Sequence, residues 1–275
     1  MTTPSRHSAA WRQVDPARAA LLGDARLQFH HATQLATALG ISYLPPQADD
    51  SHTNLEWLSD LRALASRPVN AAKTIRLAVS PHPLALLALD GANATIATLP
   101  LHGHTIDSAV RWIRTQLEAA GMEPDRYTLE RHYTIPPHPV VDHLPFDTTR
   151  DEDFAELAAW FANANLLLTE IVSERPNASE IRCWPHHFDI ATLISVAPKQ
   201  TIGVGMEPGD VYYAEPYLYV NMTPSPQQNV ARPPLAGGGS WHTKEWTGAV
   251  LTGSHLAYSN QRAQCEAFLR SMLKG

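Results

Sequence analysis

The chain has 275 residues, of which 44% are hydrophobic and 17% charged, and a net charge of −6. That length and composition can bury a sizeable core, and the acidic balance with no basic stripe argues against a nucleic-acid or anionic-membrane surface. Only two cysteines occur, Cys183 and Cys265, so at most one bridge can form and a reducing cytoplasm is the simpler expectation.

The first residues, M-T-T-P-S-R-H-S-A-A-W, lack the apolar stretch of a signal peptide, and apolar runs such as Leu84 to Leu89 are too short to span a bilayer. Residues 1–14 read as a frayed lead-in. Asp15-Pro16 then offers an N-cap followed by proline at the first helical position, and an apolar pattern predicts a helix over about 16–39 with Gly40 as its stop. His30, His31 and Gln34 inside it read as solvated polar residues.

Pro45-Pro46 breaks the chain. In D-D-S-H-T-N-L-E-W (49–57), Asp49, Asp50 and His52 are metal-ligand types, but a locally capped turn is the preferred reading, followed by a short strand from Asn54 to Leu58. Strands are expected at 75–79, 84–90 and 94–99, with Asp90-Gly91 as the turn signal. The loop L-H-G-H-T-I-D (101–107) leads into a helix at about 106–120 that ends at Gly121. His102 and His104 flank a glycine there and read as exposed imidazoles.

Tyr127 to Ile135 reads as a strand and 136–145 as a proline-rich crossing. An amphipathic helix follows over about 151–173, with Asn163 and Asn165 taken as surface residues. The second half is strand-rich at 188–196, 201–206, 215–222 and 246–252, with a long loop at 223–240. A final helix over about 259–273 buries Cys265. This order predicts a single α+β unit over 1–275. Mixed or mainly antiparallel sheets are packed by about four helices, with a helical lead-in at about 15–40 and a site-bearing region at about 183–252. Strands ending in a helix in each half hint at an internal duplication.

Strand side chains alternate between faces. That parity places His187 and Asp189 together, opposite His186 and Phe188. It places Glu215, Tyr217, Tyr219 and Asn221 together, opposite Pro216, Leu218, Val220 and Met222. In I-G-V-G-M-E-P-G-D (202–210) it sets Gly203, Gly205 and Glu207 on one face, the glycines leaving open volume above the sheet. If these strands are neighbours, one polar face gathers His187, Asp189 and Glu215 as acid–base groups around a ligand pocket. Trp184, Trp241 and Trp246, with Glu207, Tyr217, Tyr219 and Asn221, would enclose a flat or cationic ligand.

His186, His187, His242 and Glu245 are also ligand types for zinc, iron or manganese. No H-E-x-x-H or other diagnostic metal spacing occurs, nor a G-x-S-x-G elbow. Gly203-x-Gly205 runs on as strand and is no dinucleotide fingerprint. G-G-G-S-W-H (237–242) could turn backbone N–H groups to an anion, but no helix start follows. Cys183 reads as an inert buried thiol.

The segments C-W-P-H-H-F-D-I-A-T-L, G-V-G-M-E-P-G-D, Y-A-E-P-Y-L-Y-V and G-G-G-S-W-H-T-K-E-W-T-G-A-V-L resemble those of an uncharacterised bacterial family known as a domain of unknown function. The resemblance extends back through D-D-S-H-T-N-L-E-W, covers most of the chain and implies that the four segments belong to one unit. It carries no activity, ligand or site residue. The expectation is therefore a small-molecule enzyme with a histidine and carboxylate pocket, with or without a divalent metal. A non-catalytic binding module with an aromatic-lined pocket is the alternative, and a structural or interaction protein with tryptophans in its core is the third.

Overall fold

The computed structural model describes residues 10–225 and 232–273. They form two antiparallel sheets and four α-helices, an α+β architecture. The first sheet is a meander of β1 (Glu56–Leu58), β2 (Ala63–Ala65), β3 (Ile75–Pro81), β4 (Leu84–Asp90) and β5 (Thr95–Pro100). The second contains β6 (Arg182–Cys183), β7 (Ile190–Ala197), β8 (Gln200–Glu207), β9 (Tyr217–Thr223), β10 (Ser240–His242) and β11 (Gly248–Thr252), in the order β10-β11-β9-β8-β7-β6. The edges meet at one point: Leu55 N–H donates to the Cys183 carbonyl at 2.9 Å, and Cys183 N–H returns a bond to Leu55 at 2.8 Å. Antiparallel pairing is what the two halves share; their strand numbers differ, and in the second sheet β11 inserts between β9 and β10.

Helix α1 (Gly23–Tyr43) lies in the core and is buried nearly all round from Gln28 to Gly40. It starts seven residues after Pro16, because Asp15 caps only a local turn: its carboxylate accepts from Ala17 N–H and its carbonyl from Arg18 N–H. It also runs past Gly40. That glycine is needed for close packing, since a Cβ there would sit 2.3 Å from the His52 carbonyl oxygen.

His30, His31 and Gln34 are not solvated, as expected from sequence, but buried and paired. His30 Nε2 lies 2.8 Å from the Pro185 carbonyl, Gln34 Nε2 donates to the same oxygen at 2.9 Å, and His31 Nε2 lies 2.9 Å from the Pro136 carbonyl. Burial holds the His30 imidazole down to about 3, so it donates as a neutral ring.

The segment 127–135 is not a strand and bends at 132–133. It runs along α1, not along a sheet edge: Tyr127 Oη donates to Leu35 O, and Tyr133 Oη to Gln34 Oε1. Helices α2 (Ile106–Ala119) and α3 (Asp151–Glu174) match their expected spans within a residue or two. Thr105 caps α2 by accepting from Ser108 N–H, and α4 (Gln261–Leu273) closes the chain.

Residues 10–14 are not frayed. The Asn163 side chain accepts from Arg12 N–H at 2.8 Å and donates to Arg12 O at 2.7 Å. Gln261 does the same for Val14, at 3.1 and 2.7 Å. Each amide imitates a neighbouring strand, which is why Asn163 is buried in α3 and not on the surface. Residues 1–9 of the expected lead-in and 226–231 of the expected loop lie outside the described residues.

One apolar core runs beneath both sheets. Leu64, Leu77 and Val79 of the first sheet and Ile190, Val204 and Val220 of the second belong to it, with Phe29, Phe161 and Phe188 packed between. A smaller cluster of Ala63, Ala65, Ala78, Leu87 and Leu89 fills the opposite face of the first sheet, so β4 is buried on both sides. The second sheet differs: α3 and α4 cover one face, and the other carries the polar residues. No helix among the described residues is long and apolar enough to cross a membrane.

Candidate functional site

The polar face of the second sheet holds an open cleft of about 330 Å³. Its floor follows from register. Tyr217 of β9 pairs with Glu207 of β8, and one step beyond the Ile190–Met206 pair Asp189 comes opposite Glu207. In the next row Tyr219 pairs with Gly205 and Gly205 with Ala191; then Asn221 pairs with Gly203. Strand alternation therefore puts Glu207, Tyr217, Tyr219 and Asn221 on one surface, Asp189 joins them from the residue before β7, and all five line the cleft.

The glycines do not leave empty space, as the sequence suggested. A Cβ on Gly203 would lie 2.4 Å from Asn221 Oδ1, and one on Gly205 would lie 2.7 Å from the hydroxyl of Tyr219. The ring of Tyr219 thus crosses β8 over Gly205, and its hydroxyl donates to Asp189 Oδ2 on the far side. Small residues at 191 and 205 are the physical condition for that bond.

Asp189 and His187 come from a turn, since β7 begins at Ile190. Trp184 O accepts from both His187 and Phe188 N–H, and Phe188 takes a left-handed φ of 79°. His30 stacks on Phe188 with centroids 4.2 Å apart, so α1 fixes this turn through its carbonyl and its ring. His187 reaches the cleft and His186 does not, although the segment is no regular strand. His186 turns towards Tyr133, with centroids 5.7 Å apart.

Electrostatics separate the two carboxyls. Glu207 is 6% exposed and Asp189 8% exposed, and each has one buried oxygen, Oε1 and Oδ1, without a hydrogen-bond partner. Burial raises both above the ordinary carboxylate range. Asp189 is then partly relieved by the Tyr219 hydroxyl and by His187. Glu207 is pushed well up, because Asp189 and Asp210 add repulsion and only Arg26 opposes them. The two groups thus sit in unequal surroundings: Asp189 has a hydroxyl donor and His187 beside it, and Glu207 has two acidic neighbours.

Asp210 and Tyr212 also line the cleft and Arg26 packs against Gly209, and strand alternation marks none of the three. The Pro208-Gly209 turn brings Asp210 back over the sheet, where its Oδ1 accepts from Tyr212 and Tyr213 N–H and its Oδ2 from Tyr217 Oη at 2.9 Å. Gly209 has a φ of 122°, and a Cβ there would meet the Arg26 guanidinium at 2.8 Å. Asp followed two and three residues later by bonded N–H groups is a local signal legible in P-G-D-V-Y-Y. Arg26, on α1, has no such signal.

Other expected site residues fall elsewhere. Glu215 precedes β9, so strand parity does not apply to it; its carboxylate accepts from Ser254 N–H at 2.6 Å and Ser254 Oγ at 2.8 Å, outside the cleft. Trp184 does not line the cleft, its ring lying edge-on to His186 with centroids 6.1 Å apart. Trp241 Nε1 donates to Pro233 O, and Arg232 lies over its ring, also away from the cleft. Trp246 lines the cleft as expected and stacks on His242 with centroids 4.2 Å apart.

The expected metal ligands do not converge. His242 has both nitrogens engaged, Nδ1 with Tyr213 Oη at 3.0 Å and Nε2 with Lys244 O at 2.6 Å. Glu245 accepts from Tyr212 Oη at 2.6 Å. Of the four, only His187 lines the cleft. Among the described residues no three His, Cys, Asp or Glu side chains are grouped so as to hold a metal ion. Cys183 and Cys265 are both free and buried, and burial pushes the Cys183 thiol well up, away from nucleophilic use.

Compared with protein-family models, with curated proteins and with solved structures, the chain matches none.

Proposed function

We propose that this protein is an enzyme that moves protons on a small polar molecule, with Glu207 as general acid and Asp189 as general base. The observation behind it is the facing pair itself: two carboxyls nearly buried, each with an unpartnered oxygen, at the floor of one open cleft. Two carboxyls whose surroundings pull their proton affinities apart supply one acid and one base at the same pH. Tyr219 holds Asp189 in place and relieves its charge, and His187 stands beside it to accept or return a proton. This reading needs no metal.

A non-catalytic binding module uses the same cleft differently. The stacked Trp246–His242 pair favours it, because it forms a rigid aromatic wall beside the acids.

Incubating the purified protein with a mixture of small metabolites and following depletion by mass spectrometry separates the two. Turnover by the wild type that is lost in folded D189N and E207Q supports the enzyme. Ligand retention without depletion of any compound supports the binding module and contradicts the acid–base role, as does turnover that survives in E207Q.

A further inference from the structure

The hydrogen-bond inventory of the cleft is lopsided. Three phenolic hydroxyls around it have already spent their protons: Tyr219 donates to Asp189, Tyr217 to Asp210 and Tyr212 to Glu245. Among the described residues two buried carboxyl oxygens on the lining, Asp189 Oδ1 and Glu207 Oε1, are left without a partner, and the side chains of His187, Asn221 and Trp246 are the donors that remain there. Among the described residues no lysine or arginine lines the cleft. Arg26 packs against Gly209 and is not on the lining, so its charge acts on Glu207 and Asp210 from outside the cleft. Tyr217, Tyr219 and Trp246 line the cleft beside the acids, and aromatic faces attract cations. A ligand that brings donors satisfies these two oxygens, and with Asp189, Glu207 and Asp210 all on the lining a positive charge is favoured over a neutral one.

We infer that the molecule bound here carries a protonated primary or secondary amine, its N–H groups donating to Asp189 Oδ1 and Glu207 Oε1 while its body rests against Trp246 and the tyrosines. A quaternary ammonium has the charge but no N–H, and a carboxylate has the wrong sign. The inference rests on the acid–base reading of the same cleft, since it gives that pair its substrate class.

The test is titration of the full chain with benzylammonium, benzyl alcohol, benzyltrimethylammonium and phenylacetate, read by tryptophan fluorescence and by calorimetry at neutral pH. Benzylammonium is expected to bind at least about tenfold more tightly than each of the others, the scale of one charge-assisted hydrogen bond. D189N should lose about the same factor. Equal binding of the alcohol, tighter binding of the quaternary ion, or no binding of benzylammonium overturns the inference. The four probes on the wild type decide it even if D189N does not fold.

The protonation of Glu207, read separately by infrared spectroscopy, keeps the two claims apart. Protonated Glu207 without amine preference removes the amine and leaves the acid–base pair. Amine preference with ionised Glu207 removes the acid–base pair and leaves the amine.

Discussion

Replacing Gly205 with alanine tests whether Tyr219 is held across β8 to reach Asp189. The new methyl would lie 2.7 Å from the Tyr219 ring and hydroxyl and 2.8 Å from the Ala191 β-carbon. Ala191 is fixed in β7, so the ring must lift, and lifting takes its hydroxyl off Asp189. Overpacking of this kind costs about 1–3 kcal/mol. Losing a hydrogen bond to a buried carboxylate costs about 1.5–3 kcal/mol more. The gain from a stiffer unfolded chain, about 0.4–1 kcal/mol, does not offset either. Tyr219→Phe should cost only the hydrogen-bond part, about 1.5–3 kcal/mol, because the ring keeps its place.

The same bond cannot be lost twice. The double variant should therefore be more stable than the sum of the single effects by about 1.5–3 kcal/mol. Urea unfolding of the four proteins at neutral pH, followed by far-ultraviolet circular dichroism, measures this. Strict additivity, or a Gly205→Ala protein as stable as the wild type, would refute the crossing-ring geometry.

Three further outcomes follow from other parts of the molecule. A carboxyl whose proton affinity is raised by folding, as for Glu207, stabilises the fold at low pH and withdraws that stability as pH rises from the unfolded value through the folded one. Thermal melts of Glu207→Gln should match the wild type in mild acid and exceed it as pH rises, by up to about 1.4 kcal/mol per pH unit over that window; a constant offset would sink the argument. His30→Leu removes a donor to Pro185 O and the stacked partner of Phe188, so it should destabilise by about 1–3 kcal/mol and broaden the backbone amide signals of 184–189 in NMR. Unchanged signals there would mean that α1 does not hold the turn. Asn163→Leu deletes both bonds to the Arg12 backbone, and limited proteolysis should then cut within residues 10–14 faster than in the wild type, an effect absent if other contacts hold that segment.

Much of the site could be read from strand alternation alone. In E-P-Y-L-Y-V-N-M, polar and apolar residues alternate so cleanly that one face is fixed, and Glu207, Tyr217, Tyr219 and Asn221 do share it. Alternation fails where the strand stops. Glu215 lies two residues before β9 and bends away to Ser254, while Asp210, beyond β8, curls back over the floor. His186 and His187 sit in a turn, where period-two reasoning has no force. Parity also says nothing about volume, so it does not show that Gly203 and Gly205 are seats for Asn221 and Tyr219.

The helix spans were legible at α2, α3 and α4 from capping and period. Helix α1 was harder, because a helix buried on all sides shows no single apolar stripe and its histidines look like surface residues. Only tertiary contact reveals that they bond the Pro185 and Pro136 carbonyls. The short strands β2, β6 and β10 are too brief to carry a periodic signal.

The protonation of Glu207 at neutral pH decides most directly whether the facing carboxyls act as acid and base. Infrared difference spectra between wild type and Glu207→Gln, recorded from about pH 5 to about pH 9, isolate its carboxyl band from those of exposed acids, which lose their protons near about pH 4. A protonated carboxyl band that persists through neutral pH and shifts in Asp189→Asn is the predicted result. A Glu207 band that has already ionised at the lower end of that range, unmoved by Asp189→Asn, would contradict it.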